Sequence, residues 1–211
     1  MKENERQAII ENITKKYSVS DDCPFLEKEF LSYKDIKESD RGVKDCCGRV
    51  RCAESADSRD RHFMRCAMEL AAAAADFGEV PVGAVIVRGN RIIAADFNGR
   101  EMFRDALYHA ELYAIRTACR VLGGWRLVEC ELYVTLEPCP MCAGAVINAR
   151  VPRTIIGAAD PNFGAFGSVV DLNGIPGGYK TTLEKNVLGE ECARLLKDFF
   201  SRKRKKKTAF R

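Results

Sequence analysis

The chain has 211 residues, 46% of them hydrophobic and 30% charged, enough for one domain with a sizeable core plus extensions. Its formal net charge of +4 is local: seven Lys and Arg fall within the last eleven residues, so the other 200 sum to −3 and a generally basic surface is excluded. No stretch approaches the roughly 18 apolar residues of a membrane span, and Met1 to Arg6 lacks the apolar core of a signal peptide. A reducing, cytoplasmic setting with most of the ten cysteines free is therefore expected.

Residues 1–59 hold 25 charged side chains and only 11 Leu, Ile, Val and Phe, a composition that predicts a charged, flexible extension without a core of its own. Short helices are expected around Ile9, Ile10, Ile13 and Tyr17, and around Phe25, Leu26, Phe30 and Leu31. Cys23, Cys46, Cys47 and Cys52 lack paired C-x-x-C knuckles, which favours free thiols over a second metal site.

From Asp60 the pattern becomes that of a globular domain, expected over 60–200 and followed by a basic tail at 201–211. Asp60 is placed to cap a helix carrying Phe63, Ala67, Leu70, Ala71 and Ala74 at helical spacing until Gly78. Val80 to Val87 reads as a strand, and Arg88, Gly89 and Asn90 turn it into a second one, Arg91 to Phe97. A helix begins near His109 and stops at Gly123-Gly124, carrying Leu112, Ile115 and Cys119 inward.

Leu132 to Leu136 is a strand that delivers Cys139, and Met141 to Ala149 is the helix after it. Thr154 to Ala158 is a further strand, and a Gly- and Pro-rich loop from Asp160 to about Tyr179 is long enough to border a site. Lys185 to Val187 is expected in the last strand, and Glu190 to about Arg204 in the last helix, with Leu195, Leu196 and Phe199 on its apolar side. Alternation of this kind predicts an α/β domain of three layers, helices lying on both faces of one sheet. Sites in such sheets form where strands end and helices begin.

Two stretches stand at such junctions: His109-Ala110-Glu111 and, after 26 residues, Pro138-Cys139-Pro140-Met141-Cys142. A catalytic zinc site takes three protein ligands and leaves a fourth position to water. His109, Cys139 and Cys142 supply that set, and Pro140 fits the first turn of a helix, where a missing N–H costs little. Glu111, two residues past His109, points elsewhere on a helix, which leaves it free for general acid and base work. The H-x-E and P-C-x-x-C spacing is the signature of zinc nucleobase deaminases, and the division of roles is taken from that pattern. A closed structural zinc knot is the plain alternative, but His62 lies 47 residues upstream and no fourth thiolate stands near.

From about Asp60 onward the sequence resembles the bacterial tRNA-specific adenosine deaminases of the cytidine deaminase-like superfamily. The resemblance rests on GEVPVGAVIV at Gly78 to Val87, HAE at His109 to Glu111, TLEPCPMCAGAVINAR at Thr135 to Arg150, GAAD ending at Asp160 and LLKDFF at Leu195 to Phe200. It implies the cytidine deaminase-like α/β/α fold with a mixed sheet of about five strands. It also implies hydrolysis of adenosine to inosine at the wobble position of a tRNA anticodon, in a homodimer whose partner helps to build the anticodon site.

Under this resemblance His109, Cys139 and Cys142 hold one zinc ion and Glu111 carries protons. Asn98 meets the flipped base, Val82 forms a pocket wall and Asp160 lies near a ribose. Phe200, Lys203 and Arg204, together with Phe199, belong to the helix that meets the anticodon loop. Each also has a plainer reading: Val82 and Phe199 as core, Asn98 as a turn residue beside Gly99, Asp160 as the start of a turn and the basic run as a solvated tail. Glu137 is better suited to a supporting role than to catalysis.

Three features depart from the family pattern: Ala106-Leu107-Tyr108 before HAE, Gly177-Gly178-Tyr179 where an Asn-His pair is common, and the 59 residues ahead of the domain. Rival readings are a deaminase of a free base or nucleotide and a non-catalytic zinc-containing RNA-binding protein. Phe200 with six consecutive basic residues argues against the first, and Glu111 against the second.

Overall fold

The computed structural model describes residues 3–17 and 56–209. The four N-terminal cysteines and the helix expected around Phe25 to Leu31 lie outside them. In chain order the described elements are helix α1 (Glu3–Tyr17), helix α2 (Ala56–Asp76), strands β1 (Gly83–Arg88) and β2 (Arg91–Phe97), and the single turn α3 (Arg100–Phe103). There follow α4 (Ala110–Val121), β3 (Cys130–Leu136), α5 (Pro140–Asn148), β4 (Arg153–Ala158), a 3₁₀ turn at Leu172–Gly174, β5 (Thr182–Glu184) and α6 (Gly189–Ala209).

The sheet order is β2-β1-β3-β4-β5. β1 runs antiparallel to both β2 and β3, whereas β3, β4 and β5 are mutually parallel, so the sheet is mixed as expected. Alternation along β1 divides the core. Ala84 and Ile86 face Ala110, Ala114, Ala118, Ala143 and Val146 of α4 and α5. Val85 and Val87 face Phe63, Leu70 and Ala74 of α2, joined by Leu188 and by Cys192 of α6. Small residues let the outer layers approach closely: a Cβ at Gly83 would lie 2.1 Å from the Ala67 carbonyl oxygen of α2.

Four expectations are corrected. The first strand begins at Gly83 and not at Val80, because Pro81 has no N–H for a ladder and Val82 N bonds Val80 O at 2.8 Å in a tight turn. The last strand is Thr182–Glu184, three residues ahead of the expected one, where it pairs Arg153–Ile155 of β4. Asp60 is no cap: α2 begins at Ala56, and the Asp60 carboxylate is buried against the Tyr133 hydroxyl at 2.9 Å and the Arg153 guanidinium at 2.9 Å.

The fourth correction concerns residues 3–17, which are no loose extension but a helix docked on the domain. Ile10 and Ile13 are buried in the core shared with α2, and Arg6 is 1% exposed. The Tyr17 hydroxyl reaches Glu69 at 2.7 Å and its carbonyl meets His62 Nε2 at 3.0 Å. The helix expected around Ile9, Ile10, Ile13 and Tyr17 is present; its docking is what the composition of the segment did not show.

Candidate active site

The two chemistry-bearing stretches meet as two helix N-termini. His109 is the N-cap residue of α4 and Cys139 that of α5, both in extended backbone and neither using its side chain as a cap. Their side chains are thus free to point at a third group, and the positive ends of both helix dipoles face the cluster. His109 Nδ1 lies 3.7 Å from Cys139 Sγ and 3.5 Å from Cys142 Sγ. The three ligand atoms all fall within 4.8 Å of one another. In a tetrahedral zinc site with Zn–S near 2.3 Å and Zn–N near 2.05 Å, an N···S edge is about 3.6 Å. Both N···S edges match such an ion, and two soft thiolates with one imidazole are donors that suit it.

The groups perturb one another strongly. A hydrogen bond from the Cys142 thiol, aided by His109, pulls the Cys139 thiol down to about 4. The same bond, with burial and the nearby Glu111 charge, pushes Cys142 up. The bond to Cys139 raises His109, against the effect of its burial. Glu111, in the first turn of α4, is 4% exposed, and burial raises its carboxyl above the usual range. Its partners are the Cys142 thiol and the His109 charge, so a carboxylate stands beside the ligand group without belonging to it.

Val82 and Asn98 are joined to each other just ahead of β1 and just after β2. The Asn98 amide bonds the Val82 carbonyl at 3.0 Å, and Asn98 Nδ2 donates to Glu79 Oε2 at 3.1 Å. Glu79 is 1% exposed and also accepts from Met102 N at 2.7 Å. It was missed in the sequence: an acidic residue ahead of a strand gives no sign that it will be buried. Asp160 does start a turn, its Oδ1 accepting from the amides of Asn162 (2.9 Å) and Phe163 (3.2 Å).

That turn is tied to the Pro138 to Cys142 stretch by the adjoining Glu137, whose carboxylate accepts from the amides of Asp160, Phe166 and Ser168 and from the Ser168 hydroxyl. Gly164 is required beneath it, since a Cβ there would stand 2.6 Å from the Glu137 carboxylate. Phe200, Lys203 and Arg204 lie apart, on α6 across the sheet from α4 and α5. Phe199 is buried and Phe200 is 41% exposed, with the rings edge to face. Lys203 Nζ sits 5.5 Å from the Phe199 ring. Among the described residues no helix is long and apolar enough to cross a membrane.

Three layers, a mixed five-stranded sheet and a His/Cys/Cys group at two helix starts define a deaminase, and residues 58–204 match the MafB19-like deaminase family. The chain is 44% identical over 155 residues to the tRNA-specific adenosine deaminase of Bacillus subtilis, covering 73% of this chain and 96% of that protein. It is 40% identical over 150 residues to the tRNA-specific adenosine deaminase of Haemophilus influenzae, covering 70% and 87%. A structure solved in a study of A-to-I editing by tRNA:A34 deaminases at the wobble position of transfer RNA superposes with a TM-score of 0.62 at 41% identity, over 64% of this chain and 99% of that one. The chain belongs to the tRNA-specific adenosine deaminase family. A guanine deaminase from Nitrosomonas europaea, 24% identical with a TM-score of 0.59 over 69% of this chain and 84% of that one, shares the fold.

Proposed function

We propose that the chain holds one zinc ion per subunit on His109, Cys139 and Cys142 and hydrolyses adenosine to inosine at the wobble position of a tRNA anticodon, releasing ammonia. The observation that carries this reading is the compact His/Cys/Cys group with a buried, unliganded carboxylate beside it. Zinc, when bound, supplies the Lewis acidity that lets a water lose its proton near neutral pH. Glu111 accepts that proton on its carboxylate and passes it to the departing exocyclic nitrogen. A C6–O bond forms, the C6–N bond breaks, and the nitrogen leaves as ammonia. A carboxyl whose pKa burial has raised suits a group that must both take and return a proton.

The remaining contacts follow the same reading. Glu79 engages the amide nitrogen of Asn98, which leaves Asn98 Oδ1 for a donor on the base. Val82 walls the pocket, and Asp160 is held beside the ribose by Glu137. Phe200 offers an exposed ring for stacking on an unpaired base, with Lys203 and Arg204 on phosphates. The working unit is a homodimer, supported by the exposed apolar Phe163, Val169, Val170 and Ile175 on the loop bordering the site. The setting is a reducing cytoplasm, in which Cys139 and Cys142 stay available as thiolates. Residues 60–200 form the deaminase domain and 201–211 its basic tail, with α1 packed against the former.

The test is to incubate zinc-loaded protein with a tRNA bearing adenosine at the wobble position and to sequence the product. A-to-G conversion confined to that base is expected. Turnover of free guanine or cytosine with the tRNA untouched would move the protein to the small-molecule branch of the superfamily.

A further inference from the structure

Arg6 is the largest fully buried side chain described, and it comes from α1, outside the residues matched by the deaminase family. Its guanidinium donates to the Asp96 carboxylate and to the Phe97 carbonyl oxygen, at the end of β2. It also lies over three rings, 4.1 Å from the centroid of Phe97, 4.5 Å from Tyr108 and 5.5 Å from Phe103. Among the described residues Nε and Nη1 have no hydrogen-bond partner, and the ring faces lie against the guanidinium. A planar guanidinium can sandwich between rings and donate along its edge together, which an ammonium cannot.

What Arg6 holds matters more than how. Phe97 immediately precedes Asn98, and Tyr108 immediately precedes His109. The two segments are themselves joined, Gly99 N bonding Tyr108 O at 3.1 Å. Tyr108 is 5% exposed and stacks on Phe103 at 4.5 Å and on Tyr113 of α4 at 3.4 Å. Gly99 fits this stack closely, for a Cβ there would meet both the Phe103 and Tyr108 rings at 3.0 Å. A chain of direct contacts thus runs from α1 through one guanidinium to the residue before the base-binding asparagine and to the residue before the histidine ligand. Tyr108 ahead of HAE, one of the departures from the family pattern, and α1 are two halves of one arrangement.

We propose that Arg6 is a positioning residue of the deaminase site, its guanidinium fixing the two backbone segments that lead into Asn98 and His109. The inference rests on the roles given above to those two residues. A sub-ångström drift of a ligand or base contact lowers turnover without abolishing the fold, and a misplacement of about 1 Å can cost on the order of 100-fold. The tail that grips tRNA lies on another element, so substrate affinity is expected to stay.

The experiment compares full-length wild type, Arg6→Met, Arg6→Lys and a control, Ile13→Ala, which loosens α1 without touching the clamp. Two readouts are taken: kcat and KM on the tRNA, and the rate at which zinc passes to a chromogenic chelator. Arg6→Met should lower kcat about tenfold, leave KM within about threefold and speed zinc release. Arg6→Lys should fall between it and wild type. Ile13→Ala should melt earlier with kcat near wild type.

Folded Arg6→Met and Arg6→Lys with wild-type kcat and zinc release would overturn the proposal, as would Ile13→Ala matching Arg6→Met in both readouts. Should Arg6→Met fail to fold, Arg6→Lys decides alone on the same criteria. If wild type does not edit tRNA, the substrate reading fails, and the ratio of zinc-release rates still judges Arg6.

Discussion

Replacing Glu137 with Gln separates two functions of one carboxylate. Oε1 accepts from the amides of Phe166 at 3.0 Å and Ser168 at 3.1 Å, while Oε2 accepts from the amide of Asp160 at 3.2 Å and from the Ser168 hydroxyl. A glutamine keeps one carbonyl oxygen, and the buried Phe166 amide claims it. On the other side its NH₂ meets the Asp160 N–H, donor against donor, while the Ser168 hydroxyl can turn to accept. One amide loses its partner, for a cost of about 2 kcal/mol, and Glu137→Ala, which strips all four donors, should cost about twice that.

Urea unfolding at constant m-value reads the difference. Hydrogen exchange should show the Asp160 amide opening before that of Phe166. The pH dependence follows from the same bonds. Burial alone would raise the Glu137 carboxyl, but the bonds from Ser168, Asp160 and Phe166 prevail and hold it below its usual value. Its contribution to stability is therefore complete above the unfolded pKa of about 4.3 and is lost as pH falls through the lower folded value. Glu137→Gln should lack that part of the acid limb. A variant with the wild-type urea midpoint and an unchanged acid limb would refute the reasoning.

Glu111→Gln should retain zinc by elemental analysis and lose deamination by about 10²–10⁴-fold, the usual worth of a positioned acid and base; persistent turnover would remove Glu111 from proton transfer. Deleting 202–211, which carries seven Lys and Arg, should weaken tRNA binding and flatten the log–log salt slope by up to about 5 at about 0.7 per phosphate contact. Unchanged low-salt affinity would refute this, and bound zinc should be unaffected. Asp60→Ala removes one of the two carboxylates paired with the buried Arg153 guanidinium, leaving Glu131 at 3.2 Å, and should cost about 1–3 kcal/mol in denaturant; a cost typical of an exposed helix position would refute the buried pairing.

Chemistry with few solutions was legible in the sequence, and long-range pairing was not. His109, Cys139 and Cys142 could be grouped before any fold was known because few side chains bind zinc and their spacing suits helix starts. The strand Arg91–Phe97 and the helix opening at His109 agree with their periodicity, punctuated by glycine turns. Asp60 misled because an acidic residue ahead of an apolar periodic run obeys the local rule for a cap, whereas its partner Arg153 stands 93 positions away. Arg6 was passed over for the same reason: a lone arginine in a charged segment gives no hint of Asp96, 90 positions on. The last strand slipped by three residues because its pairing with β4 sets its place, and β-propensity does not.

The sheet order leaves β2 as an outer strand, and the outer strand of a sheet is a template on which another chain can add itself. Proteins often cover such a rim with a helix or blunt it with charge. Here α1 lies along β2, and the Arg6 guanidinium occupies the Phe97 carbonyl at its end. A protease cut after Tyr17 that released α1 would therefore do more than loosen the segments before Asn98 and His109. It would uncover a strand rim, and the shortened protein should be prone to assemble beyond the dimer proposed for the full chain.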